Sequence, residues 1–177
     1  ANNMIAGYSL RLKARTEKRD GLKKQVSDTE IQLGTADSKL RMLREMEREF
    51  EGFSKAVRLV MQDAERGNLR GVRGPVSKLI RVDDEFTTAI ETALGAAMQN
   101  IVCASESDAK RAIALLKQRD SGRATFLPLS TIKGSVLTER GLDDCFGFVG
   151  VASELVSCDG QYQEICRSLL GRIAIAE

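Results

Sequence analysis

The chain has 177 residues, of which 42% are hydrophobic and 29% are charged, and its formal net charge is +2. This length and composition can support one hydrophobic core with an extension. The chain contains no histidine, which excludes histidine-based catalytic triads and the most common general base. No run of about 18 apolar residues occurs, so we expect no membrane-spanning segment.

Residues 5–50 carry a seven-residue repeat that is typical of a coiled coil. With Ile5 at position a, most a and d positions are apolar, whereas the remaining positions are mostly polar. We call the apolar stripe the seam. Its main positions are Leu22, Val26, Leu33, Leu40, Leu43 and Phe50. The helix is expected to continue through Phe53 to Ala64, so residues 1–64 are predicted to form a coiled-coil arm.

This seam requires a partner helix. A narrow apolar stripe on an otherwise polar helix cannot be buried by that helix alone. No second heptad run of similar length follows in the sequence. Residues 172–176 form an alternating apolar run that is typical of a strand. We therefore expect a returning helix outside this sequence, and a globular part that is truncated at its C-terminal end.

Residues 65–129 alternate between helix and strand signals and are predicted to form a first globular lobe. A helix is expected over 83–99, capped by Asp83 or Asp84, and a buried strand over 101–104. A strand is also expected over 123–129. Between these two strands we expect a helix that Ser105 or Ser107 caps and that runs to Arg119, burying Ala109, Ala112, Ile113 and Leu116.

Residues 130–146 are polar and are predicted to connect this lobe to a second one, of which residues 147–177 would be the incomplete beginning. The second lobe should contain a strand at 147–151, a loop at 157–160, a helix at 161–170 and the final strand. No internal repeat is evident in the sequence. The predicted fold class is α+β, with a long N-terminal helix before a two-lobed α/β domain.

Motifs for chemistry are missing from the sequence. The glycines of residues 71–76 precede no Lys-Ser or Lys-Thr pair, so a turn that leads into a strand is favoured over a phosphate-binding loop. The four cysteines have no CxxC spacing, which argues against a zinc site, and Cys103 is expected to be a buried apolar residue. We predict no catalytic residue, no metal and no cofactor in this chain.

Basic residues of the first lobe are candidates for contact with DNA phosphates. Charge alone favours an ordinary solvated surface, but a basic face can also bind the backbone of a duplex. The candidates are Lys110, Arg111, Lys117, Arg119 and Arg123, with Arg66, Arg70 and Arg73 closer to the coil.

Several stretches resemble the hinge of the SMC (structural maintenance of chromosomes) ATPases in its bacterial form. They are residues 71–76 (GVRGPV), 100–113, 122–129 (GRATFLPL) and 169–173 (LLGRI), and together they cover most of 68–176. The third stretch is the most specific. A coil precedes them, as an SMC arm should.

This resemblance implies a two-lobed hinge that forms a homodimer by pairing sheet edges. It also implies a returning coiled-coil arm, and ATPase heads that hold ATP and Mg²⁺ elsewhere in the parent protein. A cytoplasmic, nucleoid-associated protein that traps double-stranded DNA with kleisin and accessory subunits is expected. The resemblance makes six glycines candidates for a structural or dimer role: Gly71, Gly74, Gly122, Gly147, Gly150 and Gly171. The family's later glycine-rich stretch has no counterpart here.

Three functions follow from these observations. The first is a non-enzymatic dimerisation hinge for chromosome condensation and segregation, with DNA contact as an added role. The alternative is a DNA-binding module in which dimerisation is secondary. The third, an enzyme with an appended coil, requires a pocket with perturbed titratable groups.

Overall fold

A computed structural model describes residues 2–139, 141–142 and 144–176. It divides the chain into two compact units, Ala1–Glu51 and Gly52–Glu177. The first unit is built on α1 (Asn2–Arg48), a single helix of 47 residues. None of the described helices combines the length and apolar character that crossing a lipid bilayer requires.

The expected continuous helix to Ala64 is wrong, because α1 ends at Arg48 and a separate helix, α2 (Lys55–Glu65), follows. Phe50 (φ 53°) and Gly52 (φ 90°) have positive φ angles, which a right-handed helix cannot continue through. Ser54 then caps α2 by accepting a hydrogen bond from the Val57 N–H. The break reflects backbone geometry that the heptad pattern does not encode.

The second unit contains seven short strands and several helices. The strands are β1 (Val72–Pro75), β2 (Ile80–Val82), β3 (Ile101–Cys103), β4 (Phe126–Pro128), β5 (Phe148–Val151), β6 (Val156–Cys158) and β7 (Ala174–Ala176). The helices are α2, α3 (Val76–Leu79), α4 (Thr87–Leu94), α5 (Glu106–Gln118) and α6 (Gln163–Leu170), with 3-10 turns at Asp84–Phe86, Gly95–Gln99 and Gly160–Tyr162. The mixed α and β composition confirms the predicted fold class.

Three small sheets hold these strands. The first has the order β1-β3-β4, in which β1 is antiparallel and β4 parallel to β3. The second pairs β5 with β7, and the third pairs β2 with β6, both antiparallel. Strand β6 was not predicted, because two of its three residues, Ser157 and Cys158, fall in the loop expected over 157–160.

The second unit repeats itself, so the expectation that the sequence contains no internal repeat is wrong. Identical residues recur at one constant offset, among them Gly74 and Gly150, Ser77 and Ser153, and Asp83 and Asp159. At that offset, β1, β2, the first 3-10 turn and α4 correspond to β5, β6, the last 3-10 turn and α6. The β1–β3 and β5–β7 pairs also share the same register and the same irregularity before the glycine.

A core cluster joins the two halves of this repeat. It contains Val76, Ile90, Leu94 and Val102 from the first half and Ala152, Ile165 and Leu170 from the second. The strand pair β2–β6 also joins the halves, and Arg81 faces Ser157 at its centre. These two residues occupy equivalent positions in the repeat, so the pair lies near an approximate two-fold axis that relates the halves.

Three local predictions in the first half are corrected. The helix expected over 83–99 is interrupted at Gly95, whose φ of 47° ends α4. Asp83 precedes the 3-10 turn but makes no side-chain cap. Ile113 is 39% exposed, because it faces away from the buried stripe of α5. The other expected core residues of that helix are buried, and Ser105 caps it.

Candidate functional site

The seam of α1 is a surface feature of the first unit. Its described positions on the helix are exposed, from 44% for Leu40 to 70% for Leu33. Leu22, Val26 and Leu43 have intermediate values. Phe50 does not belong to this stripe, because it lies beyond the helix end and is only 3% exposed. Five of the six predicted seam residues therefore present an apolar ridge to solvent.

Strands β4 and β7 are edge strands of the second unit, each with one free edge among the described residues. Strand β4 pairs only with β3, and β7 pairs only with β5. In the repeat, β7 corresponds to β3, which has a strand on each side. The open edge of β7 thus occupies the place that β4 fills in the first half. Unpaired N–H and C=O groups at such an edge are templates for another strand.

Three of the eight basic candidates are ion-paired to aspartates. Arg66 and Arg119 lie 4.0 and 3.7 Å from the carboxylate of Asp63, which is 2% exposed. Arg111 pairs with Asp108 one turn earlier on α5. All three guanidinium groups keep substantial exposure. They nevertheless face two buried carboxylates, Asp63 on α2 and Asp108 on α5, whose charge they offset.

Asp108 lies at the centre of a compact polar cluster. The Ser105 hydroxyl donates to its carboxylate at 2.6 Å, and the Arg111 guanidinium donates to its other oxygen. These hydrogen bonds hold the pKa of Asp108 below its ordinary value. A Cβ atom at Gly71 would overlap this carboxylate. Gly71 therefore lies in close contact with Asp108, where a larger residue would not fit.

The remaining basic candidates are exposed, and no described carboxylate lies within ion-pair distance of them. Arg70 and Arg73 lie just before and within β1, and Lys110 lies on α5. Lys117 and Arg123 line one open cavity of about 530 Å³, together with the exposed Ile113. Arg123 also borders a neighbouring cavity of about 460 Å³. Asp120 also lines the first cavity, so its lining carries two cations and one carboxylate.

The other glycine candidates occupy turns and close contacts. Gly122 and Gly147 have positive φ angles in turns, and Gly74 and Gly150 occupy equivalent positions in β1 and β5. Gly171 lies where a Cβ atom would overlap the Ser135 carbonyl oxygen.

The connection between the halves contacts α6 at Gly134, one of its described residues. The Gly134 N–H donates to the Glu164 carboxylate at 2.9 Å, and Arg167 donates to the other oxygen of Glu164. Both contacts keep the pKa of Glu164 below its ordinary value, the Gly134 N–H more strongly. The sequence analysis did not predict this contact. The one signal for it in the sequence was an isolated glycine, Gly134, within the polar connection.

The described residues contain no group of three or more cysteine and carboxylate side chains that could bind a metal ion. Cys103 is fully buried as predicted, and burial raises its thiol pKa to about 11, with a smaller contribution from Asp108. Two other cysteines, Cys158 and Cys166, lie in contact with each other.

Comparison with known proteins identifies the family. The model of the SMC proteins' flexible hinge domain matches residues 69–177. The chromosome partition protein Smc of Bacillus subtilis is 44% identical over 145 residues, 80% of this chain and 12% of the relative. The Lactiplantibacillus plantarum protein of that name is 39% identical over 98% of this chain and 15% of the relative. The chain thus spans only a small part of these relatives.

Solved structures agree with this assignment. An asymmetric dimer of the Geobacillus stearothermophilus SMC hinge domain matches with a TM-score of 0.76 and 43% identity, over 81% of this chain and 57% of that one. The Pyrococcus furiosus Smc hinge domain with an extended coiled coil matches with a TM-score of 0.57 and 26% identity, over 91% and 59%. The chain therefore belongs to the SMC hinge domain family, and its relatives are bacterial chromosome partition proteins.

Proposed function

We propose that this chain is the dimerisation hinge of an SMC ATPase that acts in chromosome condensation and segregation. The observation that carries the proposal is the pair of open strand edges, one at β4 in the first half and one at β7 in the second. Two copies related by a two-fold axis can place β4 of each beside β7 of the other. Such a contact is isologous and closes on itself, so it yields a dimer without further growth.

The same proposal gives α1 its role as one of two arms. Its exposed seam would pair with a returning arm of the parent chain, and the two arms would join the hinge to distant heads that bind ATP and Mg²⁺. The hinge itself would be non-enzymatic. We place the parent protein in the cytoplasm on the nucleoid, with kleisin and accessory subunits as its partners. The dimeric hinge structure of the Geobacillus stearothermophilus relative supports the dimer.

The edge contact is tested by removing one outward-facing backbone donor. The Ile173 carbonyl accepts a hydrogen bond from Ala152, beside β5. Because successive residues of a strand direct their backbone groups to opposite sides, the Ala174 N–H points to the open edge. Ala174→Pro removes this donor, while Ala174→Val keeps it at the same exposed position.

Sedimentation equilibrium on the full chain and on a chain extended through a returning helix would measure the effect. We expect Ala174→Pro to weaken dimerisation at least tenfold and Ala174→Val to change it by less than about threefold. Equal dimer affinity in both variants would reject pairing at β7. A monomer at all concentrations, in the extended chain as well, would reject the dimerisation hinge.

A second role, contact with double-stranded DNA, is favoured by the exposed cations at the cavity of Lys117 and Arg123. We propose that these two side chains bind backbone phosphates, with Lys110 and Arg73 as further contacts. Each phosphate contact should lower the logarithm of affinity by about 0.9 for every tenfold rise in salt. Binding of this kind is independent of base sequence.

Fluorescence anisotropy with a duplex, at salt concentrations rising from about 50 mM, tests this role. We expect Lys117→Glu with Arg123→Glu to reduce both affinity and salt slope, the slope by about 2. Lys39→Glu with Arg41→Glu on α1 is the matched charge control and should have a smaller effect. Equal losses in the two double variants would show that net charge, not this surface, governs binding.

A further inference from the structure

Two cysteines that the hinge function does not use lie in direct contact. The Sγ atom of Cys158, at the end of β6, is 3.2 Å from the Sγ atom of Cys166 on α6. Cys158 is partly exposed and borders two cavities of about 330 and 430 Å³. Cys166 is only 3% exposed. One thiol of the pair can therefore be reached from solvent, and the other lies behind it.

The repeat shows that the fold itself brings these two positions together. In the first half the equivalent residues are Val82 and Ile90, which belong to the same core cluster. Packing at this point is thus satisfied by ordinary apolar side chains. The thiols of the second half are not needed for the fold, and they add a chemistry that the first half lacks.

We propose that Cys158 and Cys166 are a redox-active pair that closes reversibly to an intramolecular disulfide on exposure to a peroxide. The Cys158 thiolate attacks one peroxide oxygen and becomes a sulfenic acid. The other peroxide oxygen is expelled as hydroxide and leaves as water after protonation. The Cys166 thiol then attacks the sulfenic sulfur, and its proton leaves with the hydroxyl as a second water. Two thiols and one hydrogen peroxide become one disulfide and two waters.

Accessibility sets the order of these steps. Burial, and then the neighbouring Cys158, raises the thiol pKa of Cys166 to about 12, so this sulfur is a poor first nucleophile. It becomes competent when an electrophilic sulfenic sulfur forms in contact with it. The resulting bond would tie β6 to α6, and β6 is the strand that pairs with β2 of the other half. Oxidation would therefore fix one side of the joint between the halves.

The remaining cysteines are internal controls. Cys103 is fully buried in β3. Cys145 is exposed, and its thiol donates to the Gly141 carbonyl at 3.4 Å. No described thiol contacts either of them. Cys145→Ser removes the most exposed of the four thiols and leaves the pair intact, so it provides the background for the test.

The experiment treats the Cys145→Ser chain with hydrogen peroxide, alkylates the remaining thiols and digests with trypsin and a Glu-specific protease. Cleavage after Glu154, Glu164 and Arg167 places the two cysteines on separate peptides, 155–164 and 165–167. We expect these peptides to appear joined, lighter by two hydrogens (about 2 Da), and to separate again with dithiothreitol.

Two variants on that background make the result decisive. Cys166→Ala removes the resolving thiol, and Cys158→Val installs the residue of the equivalent position in the first half. Neither variant should give joined peptides, and Cys166→Ala should accumulate sulfenic or sulfinic acid at Cys158 at least tenfold over its parent. Separate alkylated or singly oxidised peptides from the parent, in the same amounts as in Cys166→Ala, would overturn the proposal.

Discussion

The backbone N–H of Gly134 donates to the carboxylate of Glu164 at 2.9 Å. This contact joins the connection between the two halves to the helix α6 of the second half. Nearby, the Leu137 N–H donates to the Gly171 carbonyl at 2.7 Å. The polar connection, whose described residues form no helix or strand, contacts α6 at Gly134 and the residue after α6 at Leu137.

Gly134→Ala tests this packing. A Cβ atom at Gly134 would overlap the backbone and Cβ of Arg167 and the N–H of Ser168. Because backbone must move to make room, we expect a loss of about 1–3 kcal/mol in the free energy of unfolding. Gly160→Ala is the control, since its Cβ would meet open space. Urea denaturation compares the two, and an equal loss in both would contradict the close-contact argument.

The Asp108 cluster predicts a pH dependence. The Ser105 and Arg111 hydrogen bonds lower the pKa of Asp108 in the folded state. A lowered folded-state pKa gives stability that is present above the ordinary aspartate value, about 3.9, and is lost as the pH falls through the folded value. Asp108→Asn should therefore reduce the slope of stability against pH between about pH 5 and pH 2. Parallel curves for the two proteins would exclude this carboxylate as a source of acid sensitivity.

Asp63 predicts a different kind of effect, because its carboxylate ties two helices together. It accepts a hydrogen bond from the Asn68 amide at 3.3 Å and lies near Arg119, at the end of α5. Asp63→Ala removes these contacts and also a desolvated charge, so we expect a net loss of about 1–2 kcal/mol. Glu85→Ala, at an exposed position of the same unit, should change stability by less than about 0.5 kcal/mol. Thermal unfolding measures both, and a loss at Asp63 no larger than the control would reject the link.

The exposed seam predicts that the helicity of α1 depends on association. Uncovered apolar stripes pair when a partner is available, and an isolated helix of this polarity is marginal in water. We expect the helical signal at 222 nm to rise with protein concentration. Leu33→Asp with Leu40→Asp should abolish the rise, whereas Ile31→Asp with Ser38→Asp, on the opposite face, should keep it. A signal independent of concentration in all three proteins would contradict the coiled-coil assignment.

Some features of the fold follow from short-range patterns. The heptad repeat predicted α1, and the apolar spacing with a serine in front predicted α5 and its cap. Short apolar runs predicted β3 and β7. Such patterns succeed because each residue's neighbours along the chain determine which face of a helix or strand is apolar.

Site features were harder to predict, because they depend on contacts between distant residues. The basic candidates were chosen by charge alone, and Arg66, Arg111 and Arg119 turn out to be ion-paired. The seam was extended to Phe50, but a positive φ ends the helix before it. The charge and hydrophobicity of a residue are known from that residue alone. Ion pairs and chain reversals depend on which distant residues the fold places beside it.

The amino-acid sequence by itself determined the helical arm with its apolar seam, the mixed α and β elements, and the lack of histidine chemistry. Only the tertiary structure decided that β2 pairs with β6 and that Cys158 contacts Cys166. The physical reason is that periodicity is local, whereas strand pairing is selected by the burial of side chains far apart in the chain. Residues with weak local signals, such as those of β6, take their structure from that pairing.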